Sequence, residues 1–152
     1  MPIGTPVYAS AAGSVDFVST DPRNCNPLTH IPPGGTYSDA IQWCIQQGMT
    51  GTRIRIRHVD GTFSMYVHLR NIRPGIASSP PTRVALGELI GYSGNSGIAT
   101  GPHLHYSKIN AAGTATIDPV LLVACWGPTR HNYTNLSALA GTTVRNDNTS
   151  CN

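Results

Sequence analysis

The residues whose types and spacing bear most directly on chemistry are His103-Leu104-His105. Residues two apart on a strand project from the same face, so both imidazoles would enter one groove while Leu104 packs behind them. Two neutral imidazoles on one face suit a borderline-soft ion such as zinc. They equally suit a site in which one ring binds the metal and the other carries a proton. Two surface histidines on a strand share this pattern, so spacing alone leaves the readings open. A third imidazole, His68, lies in Met65-Tyr66-Val67-His68-Leu69, and if the two strands are neighbours, all three rings meet in one pocket. Four other polar residues read as solvated: His30 in a proline-rich loop, His58 and Asp60 flanking a hairpin turn, and Asp16 on the exposed side of a strand.

The elements that must position these side chains are mostly strands. Thr52 to His58 alternates Arg with Ile, Asp60-Gly61 is a two-residue hairpin signal, and Thr62 to Leu69 follows as the antiparallel partner. Arg53, Arg55 and Arg57 read as the solvated face of the first of these strands, with an anionic polymer as the alternative partner. Gly4 to Val18 reads as strand, turn and strand around Ala11-Ala12-Gly13. Ser19 to Gly35 is a loop, and Tyr37 to Gln47 places Ala40, Ile41, Cys44 and Ile45 at helical spacing before Gly48. Arg73 to Thr82 is a second loop, Val84 to Tyr92 a short strand, Ser93 to Pro102 a flexible glycine-rich connection, and His103 to Ile109 a strand. The apolar run Val120 to Ala124 closes the compact part. From Gly127 to Asn152 the chain turns to Thr, Asn and Ser, an extended tail or linker with sequons at Asn132, Asn135 and Asn148.

With 152 residues, the chain has room for one domain with a real core. Only 11% of residues are charged, while glycines number 16 and prolines 12, which favours an all-β, mainly antiparallel fold with one short helix in an insert at 19–48. The net charge of +3 is small and mostly dispersed, which points to no nucleic-acid partner, and no stretch is long enough to span a membrane. Four cysteines permit three pairings; Cys25 with Cys44 and Cys125 with Cys151 is the preferred one, because the first pair would close a loop with little apolar content. Four unpaired thiols are the alternative, and no two cysteines are close enough for a zinc knuckle. Paired cysteines imply an oxidising, secreted or periplasmic location. Met1-Pro2-Ile3-Gly4 carries no signal peptide, so export implies a segment before Met1.

The blocks Gly4-Thr5-Pro6-Val7-Tyr8-Ala9, Ala12-Gly13-Ser14-Val15, Ile56-Arg57-His58-Val59-Asp60-Gly61, Tyr66-Val67-His68-Leu69, Gly87-Glu88-Leu89-Ile90-Gly91, Ser93-Gly94-Asn95-Ser96-Gly97 and Ala99-Thr100-Gly101-Pro102-His103-Leu104-His105-Tyr106 occur in the order seen in the M23 metallopeptidases, the lysostaphin and LytM-like group. The chain resembles that family over Gly4 to Leu122. The resemblance implies a central antiparallel sheet, a groove for extended peptides, and zinc-dependent endopeptidase action on peptidoglycan cross-bridges or stem peptides. It also implies that His105 is a zinc ligand and that His103 and His68 are the supporting catalytic histidines around a metal-activated water.

The family's two other zinc ligands come from an HxxxD motif just upstream of the block matched by Gly4 to Ala9, and no HxxxD occurs in this sequence. The expectation is therefore a peptidase domain over 1–126 without its first metal-binding strand, followed by the tail at 127–152. An inactive peptidoglycan-binding or hydrolase-activating module is the alternative, and replacement ligands from the insert, with His30 the one candidate, are a further one. A carbohydrate-binding or biotinyl-like β domain ranks below these, since neither a swinging lysine nor an aromatic platform is evident.

Overall fold

The computed structural model describes residues 1–117 in full, together with the backbone of Val123–Trp126, Thr129–Asn132 and Thr143–Arg145. Ten strands and one α-helix precede those three segments: β1 Pro6–Tyr8, β2 Gly13–Ser19, β3 Asn24–Cys25, α1 Tyr37–Gln46, β4 Thr52–Arg57, β5 Phe63–Ile72, β6 Arg83–Val84, β7 Leu89–Ser93, β8 Gly97–Ile98, β9 His105–Ile109 and β10 Thr116–Ile117. The largest sheet has eight strands in the order β1-β7-β5-β4-β2-β6, with β9 also on β5 and β10 on β9, all antiparallel. Strands β11 (Val123–Trp126), β12 (Thr129–Asn132) and β13 (Thr143–Arg145) form a three-stranded antiparallel sheet. The Cys125–Cys151 pairing and the remainder of the segment read as a tail lie outside the described residues.

Alternation gives the main sheet two faces. Ile54 and Ile56 on β4, Val15 on β2 and Tyr66 on β5 are fully buried and join Val7, Leu69, Ile90 and Leu104 in one core. Burying each large side chain of this kind contributes about 1.5–3 kcal/mol. Directly paired residues share a face, so Arg55 and Arg57, Phe63, Met65 and Val67, and His105, Ser107 and Ile109 all leave the opposite, open face.

The structure corrects several expectations. The arginines of β4 are not a freely solvated row: Arg53 lies over the Phe17 ring, and Arg55 lies over Phe63 while making a bidentate pair with Asp16. That pairing also removes Asp16 from the free surface. His58 is buried at 8% exposure, with Nδ1 2.8 Å from the Ala12 carbonyl and Nε2 2.7 Å from Ser64 Oγ. A hairpin-flanking position allowed this because the His58 amide also donates to the Thr62 carbonyl, so the turn is three residues wide, not two. Asp60 does cap that turn from the surface, accepting from Thr62. His30 is exposed and stacks on Trp43. The segment Gly4 to Val18 is strand, turn and strand as expected, with β1 paired to β7 and β2 paired to β4 and β6. Val84 to Tyr92 is two strands, β6 and β7, separated by a turn.

The insert forms its helix because Thr36 and Asp39 make a reciprocal capping box, the Thr36 amide donating to Asp39 at 2.7 Å. The helix is held to β3 by the Cys25–Cys44 disulfide. Strand β3 in turn pairs in parallel with β8, and Asn24 Nδ2 donates to the carbonyls of Asn95, Gly97 and Ala99 at 2.6, 3.3 and 3.2 Å. The connection Ser93 to Pro102, read as flexible, is therefore tied to the insert. Gly97 approaches Gly51 so closely that a Cβ on it would lie 2.9 Å from the Gly51 Cα.

Candidate active site

The site lies where β5 changes partner. Its first half, Phe63 to Val67, pairs with β9, and its second half, from Leu69, pairs with β7. Between them, three steps on β5 from Tyr66 to Leu69 face two on β4 from Ile54 to Thr52, so β5 carries one extra residue there. Strict alternation would send His68 into the core beside Tyr66. Instead His68 adopts φ 65°, the left-handed region that a histidine seldom enters, and the bulge turns its ring to the histidine side.

Three rings converge at this fork. The His68 and His103 centroids are 4.6 Å apart, and those of His68 and His105 are 6.0 Å apart and perpendicular. His105 begins β9 opposite Val67, whereas His103 precedes the strand and is fixed by a single bridge to Gly94. Strand β9 is thus two residues shorter than expected, and Leu104 between the histidines packs into the core. Gly94 is a glycine because any Cβ would lie 2.4 Å from the Arg70 nitrogen and 2.8 Å from the His68 oxygen.

Hydrogen bonds assign each ring a direction. His68 Nδ1 donates to the Ser96 carbonyl at 2.6 Å, and His103 Nδ1 donates to the Gly101 carbonyl at 2.8 Å. Both rings therefore present Nε2 as the nitrogen free to take or give a proton. His105 Nε2 is engaged by Ser107 Oγ at 2.9 Å, which leaves Nδ1 for a ligand. Burial pushes the His68 imidazole below the ordinary histidine value; the Ser96 bond opposes this, and the neighbouring His103 and His105 charges add to it. A neutral His68 is a proton acceptor near pH 7.

Ser96 is a positioning residue that sequence reading did not single out. Its carbonyl holds His68, while its hydroxyl accepts from the Thr52 amide at 2.9 Å and donates to the Leu69 carbonyl at 2.7 Å. The sequence signal was its place inside the Ser93 to Gly97 block. Behind the fork, Tyr66 is fully buried and donates to Ser10 Oγ at 2.8 Å, with its phenol driven well above the ordinary value by desolvation.

The zinc expected from sequence does not fit the described residues alone. Among them, no three His, Cys, Asp or Glu side chains are arranged to hold a metal ion, and His105 is one donor where a tetrahedral site uses three or four. His30, the candidate replacement ligand, joins no such group: it is exposed, its Nδ1 lies 2.8 Å from the Asn26 carbonyl and its ring stacks on Trp43.

The family model for peptidase family M23 matches residues 1–119. The chain belongs to that family. It is 33% identical over 110 residues to the DD-carboxypeptidase/endopeptidase Mpg of Neisseria meningitidis, and 32% identical over 109 residues to the peptidoglycan DD-endopeptidase ShyA of Vibrio cholerae. Each alignment covers 72% of this chain and 18% of the relative, so the chain spans under a fifth of those proteins. The M23 chain also superposes on the catalytic domain of lysostaphin from Staphylococcus simulans with TM-score 0.51 and 26% identity, covering 78% of this chain and 70% of that one. A zinc-containing peptidase from Vibrio cholerae shares the fold at TM-score 0.51 and 24% identity, over 76% of this chain and 26% of that one. The all-β M23 fold, with one α-helix among the described residues, is thus the fold expected from the sequence.

Proposed function

We propose that this M23 chain forms the histidine half of a peptidoglycan endopeptidase site acting on cross-bridge or stem peptides. The convergence of His68, His103 and His105 at the β5 fork carries the reading. A peptide carbonyl lying over the open face would meet the Nε2 atoms of His68 and His103 from one side. The neutral ring accepts a proton from the attacking water, and a protonated ring donates to the developing oxyanion. His105 serves as one metal ligand through Nδ1. The other zinc donors come from outside the described residues, as the resemblance to the family implies. The endopeptidase names of the relatives and the Cys25–Cys44 disulfide support action outside the cytoplasm, secreted or periplasmic.

The test is chromatography of purified peptidoglycan digested with the full-length natural protein. Conversion of cross-linked dimers to monomers is expected. Tight binding without any conversion would instead establish an inactive binding or hydrolase-activating module.

A further inference from the structure

Away from the histidines, the open face carries a second concentration of charge. Ser14 on β2 is directly opposite Arg57 on β4 and also opposite Arg83 on β6, so the three side chains leave one face in a row. They line a cavity of about 520 Å³, with Val59 and Val84 in its walls. Both arginines are exposed, and among the described residues neither meets a carboxylate. Arg23, Arg55 and Arg73, by contrast, are paired with Asp21, Asp16 and Glu88. Two like charges sharing one cavity repel each other, and an anion that accepts from both forks offsets that cost.

The cavity lies in line with the histidines. Arg57 is opposite Phe63, and Phe63 is opposite Ile109, which is on the same strand and face as His105. Two strand spacings across and four residues along give a separation on the order of 16 Å. An extended peptide at ~3.3–3.6 Å per residue covers that distance with about five residues. Because Asp16 neutralises Arg55 and Arg53 is folded over Phe17, the positive charge is local and not a stripe, which suits one anionic group more than a polyanion.

We propose that Arg57, Ser14 and Arg83 form a carboxylate-binding subsite for an acidic residue of an extended peptide, about five residues from the bond held at the histidines. The inference rests on the open face being the substrate face, as proposed above.

The test follows the Arg Nε–Hε and His signals of the ¹⁵N-labelled 152-residue chain by NMR. The titrants are a six-residue Ala/Gly peptide ending in Glu, its Gln counterpart with an amidated terminus, and poly(glycerol phosphate). The Glu peptide is expected to shift Arg57 and Arg83 saturably and to bind roughly tenfold more tightly than the neutral one. R57Q/R83Q is expected to erase that difference while the remaining spectrum stays native. Equal binding of the two peptides would overturn the subsite, and so would a response to the phosphate polymer alone. Peptide shifts confined to His68, His103 and His105 would overturn the subsite and leave the proposed function standing. An arginine response in a protein that never cleaves peptidoglycan would do the reverse.

Discussion

The rings of His68 and His103 lie 4.6 Å apart although one is on β5 and the other on the connection before β9, and each is oriented by a backbone carbonyl through Nδ1. The site is a property of the fork between β7 and β9. Proton transfer by a positioned histidine contributes typically 10²–10⁴-fold, so His68→Gln or His103→Gln in the full natural protein is expected to lower the rate of peptide cleavage by that range. Circular dichroism should show the fold retained. Cleavage at the native rate by either variant would remove that ring from the chemistry.

The depressed His68 value makes stability depend on pH. The unfolded chain takes up a proton as pH falls through the ordinary value of 6.5, while folded His68 resists protonation until lower pH. Unfolding is therefore favoured as pH drops below about 6.5, and the stability linked to this ring is fully present above it. Urea denaturation at pH 7.5 and pH 5.5 should show a larger loss for the native sequence than for His68→Asn. An equal loss in both would assign the pH dependence to other groups.

Ser96 links three elements, so Ser96→Ala should be costly beyond its size. It leaves the buried Thr52 amide without the acceptor it uses, at about 1–3 kcal/mol, and loosens the carbonyl that fixes His68. The midpoint of chemical denaturation reports the first effect. Loss of cleavage in the full protein under conditions where it remains folded reports the second.

The Cys25–Cys44 bridge closes a loop with sequence separation 19, and its removal is expected to cost about 2–4 kcal/mol. The β3–β8 pairing lies beside the connection to His103, so a Cys25→Ser/Cys44→Ser variant should also show faster amide exchange across 94–99 than across β4. Unchanged exchange in that loop would separate the insert from the site.

The sequence made the two faces of β4 legible because its Arg-Ile alternation follows strand periodicity. It also put His105 on the open face, since period two is a local rule, whereas His103 reaches the site from the connection before β9. What it hid was the route by which His68 reaches them. A bulge with a left-handed histidine breaks the very alternation that sequence reading relies on, and it depends on tertiary pairing with three strands. His58 was missed for a related reason: its partners, Ala12 and Ser64, come from a distant turn and from the next strand. The helix was local, and so was readable from its apolar spacing.

The decisive measurement is cleavage of cross-linked muropeptides by the full natural protein, with and without a chelator and with His105→Ala. Chelation and His105→Ala are each expected to abolish conversion of dimers to monomers, while the untreated protein carries it out. Conversion that persists after chelation and in His105→Ala would contradict a metal-dependent site built on His105.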